Sequence, residues 1–371
     1  MRTAIVSDLH LGAAGSVDLL RDEGIRAALA PELEAADRVV LLGDVVELRD
    51  RPLATVIELA RPVFAWLGEV VGDGELVCVA GNHDHHLVAP WLERRSFRGA
   101  DGLGPEQTVD ELEPPLADLV AAASPAAVTV AYPGVWIRPD VYATHGHYLD
   151  RHLTIPTLER LGVAVVERLL GDSPGSAVEA PAAAGATGYE QVQTPVYEFL
   201  FALAQATPAE RRGGVGPSLR LWQLLSGGES RAAKLRGWLL GSVALPGAVG
   251  VANRLGLGPV RSDLSPAAIA AAGLEAIGAV VARLGIEAEH VVFGHTHRRG
   301  PLAGDSGWTA SGTRLWNTGS WVFSPTLAGP RGEGSPYWPG TVAVVDDAGP
   351  PRLVHLLDGR ERRELEAATQ D

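Results

Sequence analysis

Three apolar runs alternate with helical stretches in the first 90 residues, and this alternation constrains the fold more than any other feature of the chain. The runs 3–6, 38–42 and 76–80 have the length and composition of buried strands, and predicted helices at 17–36 and 52–71 separate them. This βαβαβ order predicts a parallel sheet with right-handed crossover connections. Because ligands bind at the carboxyl ends of such strands, the residues after each run are the first candidates for a functional site.

Metal-binding or proton-transfer side chains follow five of the predicted strands. The segments are Asp8-Leu9-His10, Gly43-Asp44-Val45-Val46-Glu47, Gly81-Asn82-His83-Asp84, His145-Gly146-His147 and Gly294-His295-Thr296-His297. Each segment alone has a common structural explanation, such as a turn or a helix cap, but five of them at strand ends are improbable by chance. Carboxylates, imidazoles and an amide oxygen are the ligands that two borderline divalent ions use. The candidate metal ligands are Asp8, His10, Asp44, Asn82, His145, His295 and His297.

Composition excludes several classes of protein. With 46% hydrophobic and 20% charged residues, the chain of 371 residues is globular. Its net charge of −14 argues against binding through a basic face, so no nucleic-acid partner is expected. Cys78 is the only cysteine, which excludes a disulfide framework. Asp8 follows the first residue too closely for a signal peptide, so a cytoplasmic location is expected.

Residues 150–288 show no strand pattern and are predicted to form a helical insertion. The predicted helices span 155–170, 194–206, 219–225 and 267–284, and a linker rich in Ala, Pro and Gly covers 171–188. Strands are predicted outside the insertion at 128–131, 135–137, 141–144, 291–293, 314–317, 341–345 and 352–357. The predicted domains are an α/β core (1–149 and 289–358), the insertion or cap (150–288) and a charged tail (359–371).

The five polar segments, in this order, resemble the motifs of the calcineurin-like metallophosphoesterases. The resemblance covers residues 1–147 and 290 to about 357. It implies a two-sheet αββα sandwich in place of the single sheet, with the helical insertion as a lid. One metal ion would be held by Asp8, His10 and His297. The other would be held by Asn82, His145 and His295, with Asp44 bridging the two.

The resemblance also implies a mechanism. Two divalent ions, most simply Mn²⁺ with Fe, Zn or Co as alternatives, would clamp a phosphoryl group while a bridging hydroxide attacks it in line. His83 would donate a proton or hydrogen bond to the phosphate or leaving oxygen, and Glu47 would orient His83. The turn at 317–320 would support the site. Asp84 is expected to cap the following helix, and the role of His147 stays open.

The sequence of the insertion is the part of the chain that indicates a substrate class. Six basic residues against Glu229 alone give the stretch 220–261 a local charge of +5. Its uncharged part, 238–251, would reach about 21 Å as a helix, too short for a hydrocarbon core of about 30 Å. Two interpretations stay open: contact with an anionic membrane or an acyl chain, and a buried helical hairpin. The insertion resembles that of UDP-2,3-diacylglucosamine hydrolases, which cleave a pyrophosphate bond, although that branch has arginine in place of His83.

We therefore expect a metal-dependent hydrolase of phosphodiester or pyrophosphate bonds. Its substrate would be a phosphorylated small molecule, a nucleotide or a lipid-linked compound, and peripheral contact with the inner face of a membrane would run through 220–261. The alternatives are a DNA- or nucleotide-processing nuclease of the same fold and a catalytically silent scaffold. The net charge of −14 disfavours the nuclease. The presence of all seven candidate metal ligands disfavours the silent scaffold.

Overall fold

A computed structural model describes residues 1–15, 17–171, 185–207 and 245–369, and the strands of this part form two mixed sheets. The strands are β1 (Thr3–Val6), β2 (Arg38–Leu42), β3 (Glu75–Val79), β4 (Gln107–Thr108), β5 (Ala127–Tyr132), β6 (Gly134–Arg138), β7 (Val141–Thr144), β8 (His290–Phe293), β9 (Thr309–Ala310), β10 (Thr313–Asn317), β11 (Thr341–Val345) and β12 (Arg352–His355). One sheet has the order β12-β11-β1-β2-β3-β5-β4, and the other has the order β6-β7-β8-β10-β9.

Helices cover the outer faces of the sheets and form the described part of the predicted insertion. They are α1 (Glu23–Glu34), α2 (Leu53–Val71), α3 (Ala89–Phe97), α4 (Leu116–Ala122), α5 (Leu158–Leu169), α6 (Thr187–Ala206), α7 (Leu245–Arg254), α8 (Pro266–Leu284), α9 (Pro325–Ala328) and α10 (Arg362–Ala368). Side chains of Asp22, Thr157 and Ser265 accept backbone hydrogen bonds at the first turns of α1, α5 and α8.

Alternating residues of the strands divide the core into two parts. In β2, Val40 and Leu42 belong to a cluster that lies between the two sheets, together with Val292 of β8. Val39 and Leu41 of the same strand belong to the larger cluster that includes the covering helices. Both faces of β2 are therefore buried, which explains its continuous apolar sequence. The chain adopts the α/β sandwich that the resemblance implied.

The single parallel sheet suggested by the first 90 residues is therefore wrong for the whole chain. The strands β1, β2, β3 and β5 are parallel, as the alternation predicted, but β11 pairs antiparallel to β1. Only Pro133 separates β5 in one sheet from β6 in the other. The hydrophobic pattern of a strand does not tell to which sheet it pairs, so the crossing from one sheet to the other could not be predicted from it.

Every regular element in the described part of 150–288 is helical. The predicted helices 155–170, 194–206 and 267–284 correspond to α5, α6 and α8, but α6 begins at Thr187 and holds Pro195 in its interior. The predicted helix 219–225 and most of the linker lie outside the described residues, as do Arg220, Arg231, Lys234 and Arg236. The domain boundaries stay a prediction.

Helix α8 has the length and apolar composition of a membrane span, and the mean hydropathy of an 18-residue stretch within it is 1.7. Its buried residues, among them Ala276, Ile277 and Val280, belong to the main hydrophobic core. Gly285 then ends the helix in a left-handed conformation. We therefore interpret α8 as a core helix that packs against the sandwich.

Candidate metal centre

The three predicted ligands of the first metal ion lie together beyond the carboxyl ends of β1 and β8. Nε2 of His297 lies 3.3 Å from Oδ1 of Asp8 and 3.1 Å from Nε2 of His10. Nε2 of His10 lies 4.0 Å from the same oxygen of Asp8. The donor atoms of the three residues all lie within 4.8 Å of one another, a spacing that one metal ion can join.

The predicted ligands of the second metal ion form an adjoining cluster, and Asp44 lies between the two. Oδ1 of Asn82 lies 3.3 Å from Nε2 of His145 and 3.0 Å from Nδ1 of His295. Oδ2 of Asp44 lies 3.3 Å from Nε2 of His145 and 3.7 Å from Nε2 of His10. One oxygen of Asp44 thus faces a histidine of each cluster, so all seven predicted ligands share one region.

The hydrogen bonds of the histidines show that a cation fits this region. Nδ1 of His145 lies 2.9 Å from the carbonyl oxygen of Leu42 and must carry the proton of that hydrogen bond. In the neutral ring that binds a metal ion, Nε2 of His145 then presents its lone pair toward Asp44. His10 does the same, because its Nδ1 faces Glu47 at 2.9 Å. Neutral rings would turn these lone pairs toward carboxylate oxygens, so positive charge is needed between them, and either protons on the rings or a divalent cation can supply it.

Electrostatics of the cluster also favour positive charge. Burial lowers the pKa of His145, but the carboxylates of Asp44 and Asp8 raise it to about 9. Burial likewise opposes protonation of His10, whereas Glu47 and Asp44 raise its pKa to about 10. The carboxylates therefore outweigh the desolvation of two buried imidazoles. The carboxylates of this region therefore favour bound positive charge, either as protons on the histidines or as a metal cation.

Five of the seven predicted ligands have left-handed backbone conformations. The φ angles are 55° at Asp8, 45° at His10, 50° at Asp44, 65° at His295 and 56° at His297. This conformation costs a residue other than glycine on the order of 1–2 kcal/mol. Such strain persists where the surrounding structure fixes it, and it clusters at functional sites. The sharp turns after β1, β2 and β8 direct these side chains into one space.

Two glycines of the motifs are required by close approach of the ligand side chains. A Cβ atom on Gly81 would lie 2.3 Å from Oδ1 of Asp44 and 2.6 Å from Cδ2 of His145. A Cβ atom on Gly294 would lie 2.4 Å from Oδ2 of Asp8. Since all three distances are far inside van der Waals contact, any other residue at these positions would displace a ligand side chain.

The turn at 317–320 holds the loop that carries His295 and His297. Nδ2 of Asn317 donates hydrogen bonds to the carbonyl oxygen of Gly294 at 2.9 Å and to the hydroxyl of Thr296 at 3.0 Å. Oδ1 of Asn317 accepts a hydrogen bond from the backbone N–H of Gly319 at 2.8 Å. The turn therefore holds the loop that carries two predicted ligands, and its support of a metal site stays a prediction.

Glu47 contacts both His83 and His10. Its Oε2 lies 2.6 Å from Nδ1 of His83 and 2.9 Å from Nδ1 of His10. Burial raises the pKa of Glu47, but the two histidines hold it well below its usual range. The side chain of His83 is 28% exposed and lines the cavity above the clusters, where it can reach a bound molecule. Glu47 therefore lies beside His83 and also holds a predicted metal ligand, and its orienting role toward His83 stays a prediction.

The prediction that Asp84 caps the following helical turn is wrong. Its side chain makes no hydrogen bond to that turn. Instead it accepts hydrogen bonds from the backbone N–H groups of Gly81 at 2.6 Å and Val45 at 2.7 Å. Burial and the charge of Asp44 raise its pKa to about 6. Asp84 therefore joins the loop that carries Asp44 to the loop that carries Asn82, a contact that sequence spacing does not reveal.

His147, whose role was left open, lies beside the clusters and contacts the insertion. It is buried, and its Nε2 lies 3.1 Å from the hydroxyl of Tyr132. Its backbone carbonyl accepts a hydrogen bond from Nε2 of Gln193, in α6, at 3.0 Å. The described contacts of His147 therefore connect the loop after β7 to the insertion.

Three residues that sequence reasoning missed contact the predicted ligands or their neighbours. Oδ1 of Asp150 lies 2.9 Å from Nε2 of His295, and Oδ2 of Asp150 accepts a hydrogen bond from the hydroxyl of Tyr197 at 3.2 Å. Arg49 donates to the backbone carbonyl of Asn82 at 2.5 Å. The Asp150 carboxylate three residues after His147 was a usable signal, but nothing in the sequence marks Tyr197.

A cavity of about 790 Å³ opens from the two clusters. Its floor contains His10, Asp44, Asn82, His295 and His297. Much of its wall is apolar and comes from the described part of the insertion, including Leu153, Ile155, Leu200, Leu203, Ile269 and Leu274. The guanidinium groups of Arg49 and Arg298 also line it. The cavity therefore has a polar floor of candidate metal ligands and a largely apolar wall.

The fold, the clusters of histidine and aspartate and the motif order define a metallophosphoesterase. The family model of the calcineurin-like phosphoesterases matches residues 1–187, half of the chain, and the chain belongs to this family. The match includes four of the five polar segments, and β8 brings the fifth, 294–297, to the same site. Comparison with curated proteins gives no significant match. Members of the family use divalent metal ions, which the clusters of this chain fit.

Proposed function

We propose that this protein is a dinuclear metal-dependent hydrolase of phosphodiester or pyrophosphate bonds. The observation that carries the proposal is the position of Asp44, whose Oδ2 lies 3.7 Å from His10 of one cluster and 3.3 Å from His145 of the other. A carboxylate shared by two ligand sets is what a pair of adjacent ions requires. We propose Mn²⁺ for both positions because the ligand sets include carboxylate and amide oxygens, and Fe, Zn or Co are the alternatives because the sets also include imidazoles.

The protein's own groups divide the chemistry between them. Two bound divalent ions would polarise the phosphoryl oxygens and lower the pKa of a water molecule between them. Asp44 and the six other ligands hold the charge that this requires. His83 lines the cavity next to the clusters and would donate a hydrogen bond or proton to the phosphoryl or leaving oxygen. Glu47, 2.6 Å from Nδ1 of His83, would keep the opposite ring nitrogen directed at the substrate.

The cavity supports a substrate with an apolar part. Its wall presents leucine and isoleucine side chains of the insertion directly above the polar floor. A lipid-linked phosphodiester or pyrophosphate would place its phosphate at the floor and its hydrocarbon along this wall. The nuclease alternative is less well supported, because a nucleic-acid site depends on cationic side chains that follow a phosphate backbone.

Contact with a membrane would suit such a substrate. Among the described residues of the insertion, Leu169 and Leu170 at the end of α5 are 81% and 60% exposed, and Phe199 of α6 is 65% exposed. Exposed apolar side chains, in an insertion whose sequence also contains a basic segment, favour an anionic lipid surface. We therefore propose a cytoplasmic protein that binds peripherally to the inner face of a membrane through 220–261 and the neighbouring insertion helices.

The direct test is a substrate screen of metal-stripped protein to which Mn²⁺ is added back. Phosphomonoesters, phosphodiesters, nucleotide pyrophosphates and a lipid-linked pyrophosphate are compared, with Asp44→Asn as the matched variant of nearly equal size. We expect Mn²⁺-dependent cleavage of diester or pyrophosphate bonds and loss of activity in Asp44→Asn. Full activity of Asp44→Asn in metal-replete protein would contradict the proposal, and so would the absence of hydrolysis across the whole panel.

A further inference from the structure

The insertion contacts a predicted metal ligand through two hydrogen bonds in series. Nδ1 of His295 faces Asn82 in the second cluster, and Nε2 of His295 lies 2.9 Å from Oδ1 of Asp150. A histidine that donates its outer N–H to a carboxylate keeps its inner nitrogen unprotonated and fixed in direction for a metal ion. Asp150 thus orients His295 from outside the cluster.

Tyr197 completes this series from the other side of Asp150. Its hydroxyl lies 3.2 Å from Oδ2 of Asp150, and the Tyr197 side chain is fully buried in α6. The hydroxyl also lies 3.3 Å from the carbonyl oxygen of His147, but that carbonyl already accepts a hydrogen bond from Gln193 at 3.0 Å. That carbonyl has a second lone pair, but the nearer and charged acceptor for the single proton of Tyr197 is Asp150.

A second contact leads from the insertion to another ligand of the same cluster. Arg49 donates to the backbone carbonyl of Asn82 at 2.5 Å and to Oε1 of Glu159, in α5, at 3.2 Å. Its guanidinium also lies 5.1 Å from the centre of the Tyr197 ring. Both α5 and α6 therefore contact the supports of the cluster formed by Asn82, His145 and His295.

The other cluster is supported by the core. His10 is held by Glu47, and the carboxylate of Asp8 accepts from Ser7 and from the backbone N–H of His295. These supports come from the loops after β1, β2 and β8. The two predicted metal positions thus differ in what holds their ligands.

We propose that Tyr197 is a positioning residue that acts through Asp150 on His295, so that helix α6 sets the metal affinity of the Asn82–His145–His295 position. This inference rests on the proposed dinuclear centre. Loss of the hydroxyl leaves Oδ2 of buried Asp150 without this donor, and the carboxylate can then rotate away from His295. Loss of such an outer contact lowers metal affinity by about 10–100-fold.

The test is a calorimetric titration of metal-stripped full-length protein with Mn²⁺. For wild type we expect two binding steps. In Tyr197→Phe we expect one step to weaken about tenfold and the other to keep its affinity. Tyr189→Phe is the matched control, because Tyr189 is buried in the same helix but its hydroxyl contacts His152 at 2.7 Å instead of Asp150. Both steps should be unchanged in this control.

A double-mutant cycle separates positioning from a general loss of structure. Asp150→Asn should weaken the same step at least as much as Tyr197→Phe, and the combined variant should be no weaker than Asp150→Asn alone, because Tyr197 acts through Asp150. Wild-type affinity at both steps in Tyr197→Phe, equal weakening of both steps, or additive effects in the combined variant would overturn the inference and leave the proposed function intact. Fewer than two ions bound by wild type would overturn both.

Discussion

Glu47 accepts a hydrogen bond from Nδ1 of His10 at 2.9 Å, so that a carboxylate next to a proposed proton donor also fixes a proposed metal ligand. The same oxygen faces His83 at 2.6 Å. In the proposed mechanism, metal binding and proton donation would therefore be coupled through this one side chain. Variants at Glu47 and His83 should separate the two functions.

Glu47→Gln should lower both metal affinity and turnover. The neutral amide lacks the charge that faces both histidines, and loss of an outer carboxylate reduces metal affinity or activity by about 10–100-fold. The measurement is a Mn²⁺ titration together with steady-state kinetics. Glu58→Gln, at an exposed position of α2, is the matched control. Unchanged metal affinity in Glu47→Gln would show that His10 needs no such support.

His83→Ala should lower turnover and leave the metal content unchanged. A positioned acid contributes about 10²–10⁴-fold to a rate, and His83 is not among the seven predicted ligands. Metal analysis of the purified variant and kcat with a phosphodiester test both expectations. His355→Ala, at a histidine that contacts Thr341 in the core, serves as control. Parallel loss of metal and activity would instead make His83 a structural residue.

Gly81→Ala should disrupt metal binding through a single methyl group. The added Cβ would lie 2.3 Å from Oδ1 of Asp44, so the carboxylate or the loop must move, and overpacking of this kind costs about 1–3 kcal/mol. We expect a lower free energy of unfolding and weaker binding of both ions, measured by denaturation and titration. Gly334→Ala, where nothing lies within 4 Å of the new Cβ, is the control. Normal metal affinity in Gly81→Ala would contradict the role given to the Asp44 bridge.

The contact between α6 and the core should weaken at alkaline pH. Burial opposes protonation of His85, but Glu190 at 3.0 Å and Glu198 at 3.5 Å raise its pKa from 6.5 to about 9. Because the folded-state pKa lies above the unfolded value, this stabilisation is complete below pH 6.5 and is lost as the pH rises through 9. The effect is on the order of 3 kcal/mol.

The check is the free energy of unfolding against pH for wild type and His85→Gln at equal metal content. The difference between the two proteins should shrink between pH 6.5 and 9, because only wild type loses the charged contact in this range. A difference that stays constant over this range would show that His85 is neutral in the folded protein.

Binding to anionic vesicles should depend on the basic part of the insertion. The triple variant of Arg231, Lys234 and Arg236 to alanine should lose flotation with vesicles that contain phosphatidylglycerol, since each basic residue near such a surface contributes about 1 kcal/mol. The triple variant of Arg360, Arg362 and Arg363 to alanine removes the same charge elsewhere and should still float. Absence of flotation in wild type would refute the membrane proposal.

Local patterns account for only part of the grouping of the seven predicted ligands, because His145, His295 and His297 follow strands of the second sheet. Asp8 and Asp44 come directly after parallel strands, and such strand ends must meet at one edge, so strand prediction alone brings these side chains together. The outer contacts do not follow in this way. Asp84 bonds to Val45, and Tyr197 bonds to Asp150, across 39 and 47 residues. No periodicity connects such pairs, because the packing of distant segments decides them.

The backbone N–H of His295 donates to the carboxylate of Asp8 across 287 residues, and each predicted metal position takes one histidine from the segment after β8. During synthesis on the ribosome, Asp8 emerges long before these partners exist. Neither position can therefore be completed until the chain after the insertion has been made and β8 has paired with β7. Metal loading would then be a late event in the maturation of this protein, and metal content would report how much of a preparation has finished folding.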